Sequence, residues 1–460
     1  MIKSSKSSTR IPSKLSQLNP KCAGIDVGAT ELFVCIAHNS SKQEVRSFST
    51  FTADIKILIK WLKESNVESV AMESTGVYWI PTYELLEEAG IEVVLVNARF
   101  FKSVPGRKSD VQDCQWIQQL HSYDLLSGSF RPDNEIVALR SYVRQRSRSF
   151  ESASTQVQLM HKALTQMNIQ LNHAISDITG MTGMNIIKAI LAGERNPLEL
   201  AKLSVGLCRK NEVLIAKALE GNYRQEHLFS LEKAYQAYEF FHQQIHDCEE
   251  MILQALITIQ KSGPTINSPP CVQKNAPKRS YNRSPYHFKA SEEIRKVTVS
   301  DLTTIPGIDA NTAMKILSEI GTDMSHWRNS RAFASWLGLS PGNKISGGKV
   351  LSSRTKSSSN KAAQALRMAA NSLYRSKTYL GAFLRRMRTR LGAPKAITAA
   401  AHKLAIIIYS MLTKKENYRE IGENYYEQKY QDRVLKNLKR RAQEMGYALI
   451  STENFGEKTV

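Results

Sequence analysis

Four carboxylates in the first quarter of this chain have the types and spacing for metal-assisted phosphate chemistry. Asp26 stands in G-I-D-V-G (24–28), where an aspartate and a turn glycine close an apolar run, and Glu73 ends V-A-M-E (70–73). Asp110 and Asp113 follow the basic pair Arg107 and Lys108 in P-G-R-K-S-D-V-Q-D (105–113), and a separation of three puts both on one helix face. Gathered in one place, four carboxylates repel one another unless a cation lies among them. Two Mg²⁺ ions about 3.5–4 Å apart, clamping a phosphodiester, answer that need. Taken singly, each acid has a plainer reading. Asp26 suits a strand-end turn, and Asp110 with Asp113 suits a helix start favoured by the macrodipole.

The elements that must position these acids form an α/β pattern over residues 21–131. Three strands (22–27, 32–38 and 44–49) joined by short polar turns precede an amphipathic helix over 53–65. A strand ending at Glu73, a helix over about 80–89, a strand over 91–96 and a helix from about 109 to 126 follow. If the first and fourth strands are central neighbours, their carboxyl ends place Asp26 beside Glu73. The last helix then closes the cluster from the flank. Helices packed on a mixed sheet are the expected architecture.

Downstream, the sequence turns helical. Ile136, Leu139, Val143, Arg146, Phe150, Ala153, Val157, Met160, Leu164, Met167 and Leu171 follow a three–four alternation, and so does a second run from Leu231 to Ile259. This pattern predicts a long coiled-coil hairpin or dimerising arm over 132–262. Residues 1–20 read as a disordered basic tail and 263–293 as a linker, because 263–290 holds five of the fourteen prolines and no apolar period. An all-α domain is expected over 294–418, with a helical tail over 419–460.

That C-terminal domain has its own chemistry-bearing residues. Between Asp323 and Glu416 there is no acid, while eighteen lysines and arginines fall between Arg328 and Lys415. Of a net charge of +21, this window carries most, and a solvated helix face normally mixes signs. A polyanion partner, DNA, RNA or both, is the better reading. L-T-T-I-P-G-I-D-A (302–310) predicts a helix–hairpin–helix, whose Pro306–Gly307 turn offers backbone N–H groups to a phosphate. The loop K-I-S-G-G-K (344–349), with Arg354 and Lys356 beyond it, suits a nucleophilic serine among cations. Ser340, Ser346, Ser352, Ser353, Ser357, Ser358 and Ser359 are all candidates by residue type alone.

Composition excludes several classes. No run reaches the ~18 consecutive apolar residues of a membrane span, and the first residues lack a signal peptide's apolar stretch, so a cytoplasmic protein is expected. Six cysteines without paired spacing support neither a zinc site nor a disulfide framework.

The motifs G-I-D-V-G (24–28), E-S-T-G-V-Y (73–78), V-N-A-R-F (96–100) and P-G-R-K-S-D-V-Q-D (105–113) together resemble the RuvC-like DEDD transposases of the insertion-sequence one-ten family, also called bridge-RNA-guided recombinases. The second domain resembles residues 302–411, through G-L-S-P (338–341) and S-G-G-K (346–349). The resemblance implies a ribonuclease H-like first domain and Mg²⁺ held by Asp26, Glu73, Asp110 and Asp113. It implies a catalytic serine at Ser346, with Gly347, Gly348, Lys344 and Lys349 in the nucleic-acid-binding loop. Arg107 and Lys108 would lie beside the scissile phosphate. Donor and target DNA, a non-coding bridge RNA and a dimer or tetramer are the partners it implies, with a nucleoid-associated location. A water-using junction resolvase, a non-enzymatic binding protein on a decayed scaffold and an actin-like ATPase are the rival readings.

Overall fold

The computed structural model describes residues 17–39, 42–97, 109–262 and 286–450. Most of the expected basic tail and linker lies outside them. Two compact units, 1–131 and 132–460, divide the chain.

In the first unit β1 (Cys22–Val27), β2 (Glu31–Asn39) and β3 (Lys42–Ser49) form an antiparallel meander. Gly28 makes the first turn, because a Cβ there would come within 2.7 Å of the Glu31 carbonyl oxygen that its own N–H bonds at 2.9 Å. Helix α1 (Thr52–Glu64) leads to β4 (Ser69–Glu73), and α2 (Trp79–Glu88) leads to β5 (Glu92–Val96). Both strands are parallel to β1, giving the order β3-β2-β1-β4-β5. Strand alternation divides the side chains between two layers. Ala23, Ile25, Val27, Val70 and Met72 pack with Ile55, Leu58 and Leu62 of α1 and Leu86 of α2. The opposite face carries Gly24, Ala71 and Val96 under α3 (Asp110–Ser122), whose Ile117 is fully buried there. A mixed five-stranded sheet with helices on both faces fits the expected ribonuclease H-like fold.

The second unit is built on α4 (Asn134–Gln166) and α9 (Gln225–Ser262), which pack antiparallel along their lengths. Arg146 meets Glu249 at 2.6 Å, while Met160, Ala163 and Leu164 share a cluster with Leu228, Leu231 and Ala234. The three–four pattern overruns the helix: α4 ends at Gln166, Asn168 takes a left-handed φ of 57°, and Leu171 belongs to the next helix. Phe150, expected on the seam, is exposed. Between the long helices, α5 (Leu171–Ala174), α6 (Met181–Leu191), α7 (Pro197–Lys202) and α8 (Glu212–Ala218) close a shared apolar cluster.

Residues 286–293, at the end of the stretch expected to be linker, are structured. Tyr286 is buried and α10 (Ala290–Thr298) begins at Ala290. Next come α11 (Ala310–Ile320), α12 (Ser330–Trp336), β6 (Lys344–Ser346), β7 (Lys349–Ser352), α13 (Lys361–Ser372), α14 (Tyr379–Leu391), α15 (Ala393–Lys414) and α16 (Glu423–Glu444). The expectation of an all-α domain is therefore corrected: β6 and β7 pair as an antiparallel hairpin within a mostly helical fold. Two adjacent glycines with positive φ favour that turn over a flexible loop. Among the described residues, α15 is the one helix long and apolar enough to cross a membrane. Its Ala396, Ala400, Leu404, Ala405 and Ile408 are instead buried, and the helix packs on α12, α13 and α14 as the centre of this core.

Candidate active site

Strand register brings the first two acids together. Ile25 pairs with Met72 in the parallel β1–β4 ladder, so the next residues, Asp26 and Glu73, end neighbouring central strands. Adjacent strands lie about 4.8 Å apart. By alternation both acids share the face of Gly24 and Ala71, under α3. Glu73 is buried and its Oε1 accepts a hydrogen bond from the Thr75 hydroxyl, while Asp26 is half-buried.

The packing of α3 aims the second pair at the same edge. Cys22 lies against Gln118, and Ser69 Oγ is 2.9 Å from His121 Nε2, so the carboxyl-terminal turns of α3 cover the strand starts. A Cβ on Gly24 would overlap the backbone of Gln118 and Cys114, which makes glycine obligatory for this close approach. Asp26 lies two residues further along β1, about 6.7 Å. That distance equals roughly four to five residues of helix rise, which draws Asp26 level with the first turn of α3. Asp110 and Asp113 occupy that turn, exposed and half-buried respectively, below an N-cap in which Ser109 accepts from the Gln112 N–H. Arg107 and Lys108 lie outside the described residues.

Three cysteines support this interface, a feature the spacing did not disclose. Cys35 and Cys114 interact in the interior near Cys22. Burial pushes the Cys22 thiol up to about 11, partly offset by Gln118, and the Cys35 thiol is raised further by its hydrogen bond to Cys114 and by burial. Cys22 and Cys35 are thus protonated packing groups, unsuited to act as nucleophiles.

Ser346 sits in a different setting. It ends β6, pairs with Lys349, and is joined to it through Gly347 (φ 55°) and Gly348 (φ 74°), a two-residue turn that requires left-handed backbone at both positions. Lys344, two residues back, shares its strand face. Ile345 and Val350 pair with each other and stay exposed, as does Leu351. All of 341–351 is exposed, so the hairpin stands clear of the helical core. Its base is held by the Gly342 N–H to the Arg354 carbonyl at 3.1 Å, and Arg354 and Lys356 are themselves exposed.

The hairpin preceding α11 is more compact than predicted. Its first limb is a single 3-10 turn (Leu302–Thr304), with no full helix directly before the turn. Gly307 has φ 86°, and a Cβ there would come within 2.7 Å of the Ala369 carbonyl oxygen and 3.1 Å of the Leu373 and Ser372 side chains. Pro306, Gly307, Asp309, Thr312 and Ser372 line an open cavity of about 420 Å³. Asp309 Oδ1 already accepts the Thr312 N–H at 2.7 Å, so one amide of the helix start is taken.

The basic window is also partly neutralised. Arg385 bonds Glu423 and Arg386 bonds Glu427, both at 2.5 Å, so α16 supplies the acids that the window lacks. Arg386 also stacks over Tyr430. Within the window, these two arginines are paired with the protein's own acids.

Two protein-family models match the chain. A DEDD-type IS110 model described as a transposase covers residues 23–169, and a model described as Transposase IS116/IS110/IS902 family covers 299–385. Together they span about half the chain and both proposed sites. No curated protein matches it.

Proposed function

The chain belongs to the IS110 family of transposases, and from that membership we propose that it moves an insertion sequence by metal-assisted cutting and serine-mediated rejoining of DNA strands. The observation that carries the metal half is the convergence of two strand ends and one helix start. Asp26 and Glu73 lie at neighbouring carboxyl ends, facing the helix that begins with Asp110 and Asp113. An all-carboxylate oxygen set suits Mg²⁺. These four residues would hold it, and when bound it would supply charge neutralisation at the scissile phosphate.

In this reading the Ser346 Oγ attacks phosphorus. An Oγ–P bond forms, a strand P–O bond breaks, and the departing strand oxygen takes up a proton as the serine hydroxyl loses one. Lys344 and Lys349 flank the attacking oxygen and offset charge developing on phosphate. The phosphoserine bond conserves the energy of the broken linkage, so a new strand hydroxyl reverses the step without ATP. An exposed hairpin with uncovered Ile345, Val350 and Leu351 supports a site completed by a surface outside its own domain. A shared site within a dimer or tetramer, assembled through the paired long helices as a coiled-coil arm, meets that need. The backbone of the Pro306–Gly307 turn, together with the exposed Arg354 and Lys356, would hold donor and target DNA by backbone and shape. Sequence choice would fall to a bridge RNA. The protein would act in the cytoplasm, at the nucleoid.

A junction resolvase that uses water as nucleophile would need the acids alone. Strand cleavage by Ser346→Ala separates the two readings. We expect cleavage of donor DNA, with bridge RNA and Mg²⁺ present, to be lost in Ser346→Ala as completely as in Asp26→Ala. Retained cleavage in Ser346→Ala would favour the resolvase.

A further inference from the structure

A second group of ligating side chains lies far along the chain from the acids. His246 and Glu250 stand one turn apart on α9, and His287 reaches them from the segment that leads into α10. One ligand atom from each lies within 4.8 Å of the other two, and all three residues are exposed to solvent. We propose that His246, Glu250 and His287 form a zinc-class transition-metal site that fastens the start of the C-terminal helices to the long helical hairpin.

The donor set and its surroundings both argue for this. Two imidazoles and one carboxylate on a solvent-open face are a three-ligand set with room for water as the fourth. Imidazole-rich sets favour zinc and its neighbours over Mg²⁺, which separates this site from the all-carboxylate one. Metal-bound histidines almost always donate their second ring N–H to a carboxylate, a backbone carbonyl or water, which fixes the tautomer. His287 has that partner: its Nδ1 is 2.9 Å from Glu249 Oε2, and the same oxygen accepts the His287 backbone N–H at 2.8 Å. The other Glu249 oxygen accepts from Arg146 Nε at 2.7 Å, and Arg146 and Glu249 are both buried. The orienting group is thus locked before any ion arrives, and His287 Nε2 is left facing Glu250 Oε1 at 2.9 Å.

Small movements would complete the site. A tetrahedral ion with bonds of about 2.1 Å separates its ligand atoms by about 3.4 Å. The His287–Glu250 pair would open slightly and the His246 ring would turn inward. The rings of His246 and His287 stack with centroids 4.7 Å apart and planes 22° from parallel, so they already face each other and one must rotate for both nitrogens to converge on an ion.

The place of the site says what it would do. Tyr286, the neighbour of His287, is buried, lies 4.0 Å from the Arg146 guanidinium and bonds Asn311 of α11 at 3.3 Å. One short segment therefore joins α4, α9 and α11, and a bound ion would tighten that junction. Sequence reading missed it because His287 lies across a proline-rich stretch from His246.

The test uses full-length protein, stripped with chelator and titrated with Zn²⁺ against a chromophoric competitor. Wild type and Asp26→Ala should each retain one tight equivalent that His246→Ala, and independently Glu250→Gln, weaken at least about 100-fold. Co²⁺ in the same site should give tetrahedral ligand-field bands without thiolate charge-transfer bands. Equal zinc affinity in wild type and both variants would overturn the proposal and leave the cluster as a hydrogen-bonded clasp. Thiolate bands would overturn it in favour of Cys208 or Cys248.

Discussion

The acid site and the serine hairpin are built in opposite ways. Asp26 and Glu73 end the central strands of a five-stranded sheet, and α3 lies so close above them that position 24 must be glycine. Ser346 stands on a two-stranded ribbon that is exposed throughout 341–351 and whose glycines have open space around them. One half is positioned by the core and the other is presented to solvent. If the proposed reading holds and these groups serve one phosphodiester, the contrast implies acids preorganised by folding and a serine positioned when the hairpin meets its substrate or a partner surface.

The largest effects should break both halves alike in chemistry and apart in stability. Asp26→Ala and Glu73→Ala are expected to lower DNA cleavage by at least about 10³-fold. Ser346→Ala should do the same while leaving the thermal melting curve unchanged, which calorimetry with a cleavage assay checks. Next come the glycines. Gly24→Val forces α3 off the sheet and should destabilise the first unit by about 3 kcal/mol in a urea melt. Gly348→Ala, strained only by its positive φ, should cost about 1 kcal/mol confined to the hairpin, leaving the main transition in place.

Smaller effects sharpen the electrostatic side. Replacing both Glu423 and Glu427 with glutamine removes the carboxylate partners of Arg385 and Arg386 on α16. Non-specific DNA binding should then fall more steeply with salt, by up to about two units of log–log slope. An unchanged slope would mean that this face does not meet DNA. The smallest effect is on pH. Burial lowers the pKa of His121, which lies between α3 and the sheet against Ser69, below its ordinary value of about 6.5. The unfolded chain then binds more protons as pH falls through that range, so the first unit should lose stability from pH 7 to pH 5. His121→Gln should flatten that decline in denaturant melts.

Much of the first unit was readable because its signals are local. Apolar strands and the turn glycine after Asp26 place both acids at strand ends, but their pairing holds only if the first and fourth strands are neighbours, which the β1–β4 ladder supplies. The long helices were equally plain, although the pattern ran past the end of α4, because apolar spacing does not register the left-handed residue at Asn168. The remaining features depend on contacts between distant segments. Cys35 with Cys114, Arg385 with Glu423, and His246 with His287 are separated by dozens of residues, and composition cannot pair them. The β6–β7 hairpin was different: its glycine pair was visible, but strands of three and four residues are too short for alternation to show.

The central claim is that Ser346 becomes covalently joined to DNA at a site that needs the four acids. The direct measurement incubates protein, bridge RNA, Mg²⁺ and labelled donor and target DNA, denatures the mixture and maps any protein–DNA adduct by peptide mass spectrometry. An adduct on Ser346, absent from Ser346→Ala and from Asp26→Ala, is the predicted result. Cleaved DNA with no adduct on the protein, or an adduct on another serine, would contradict the account.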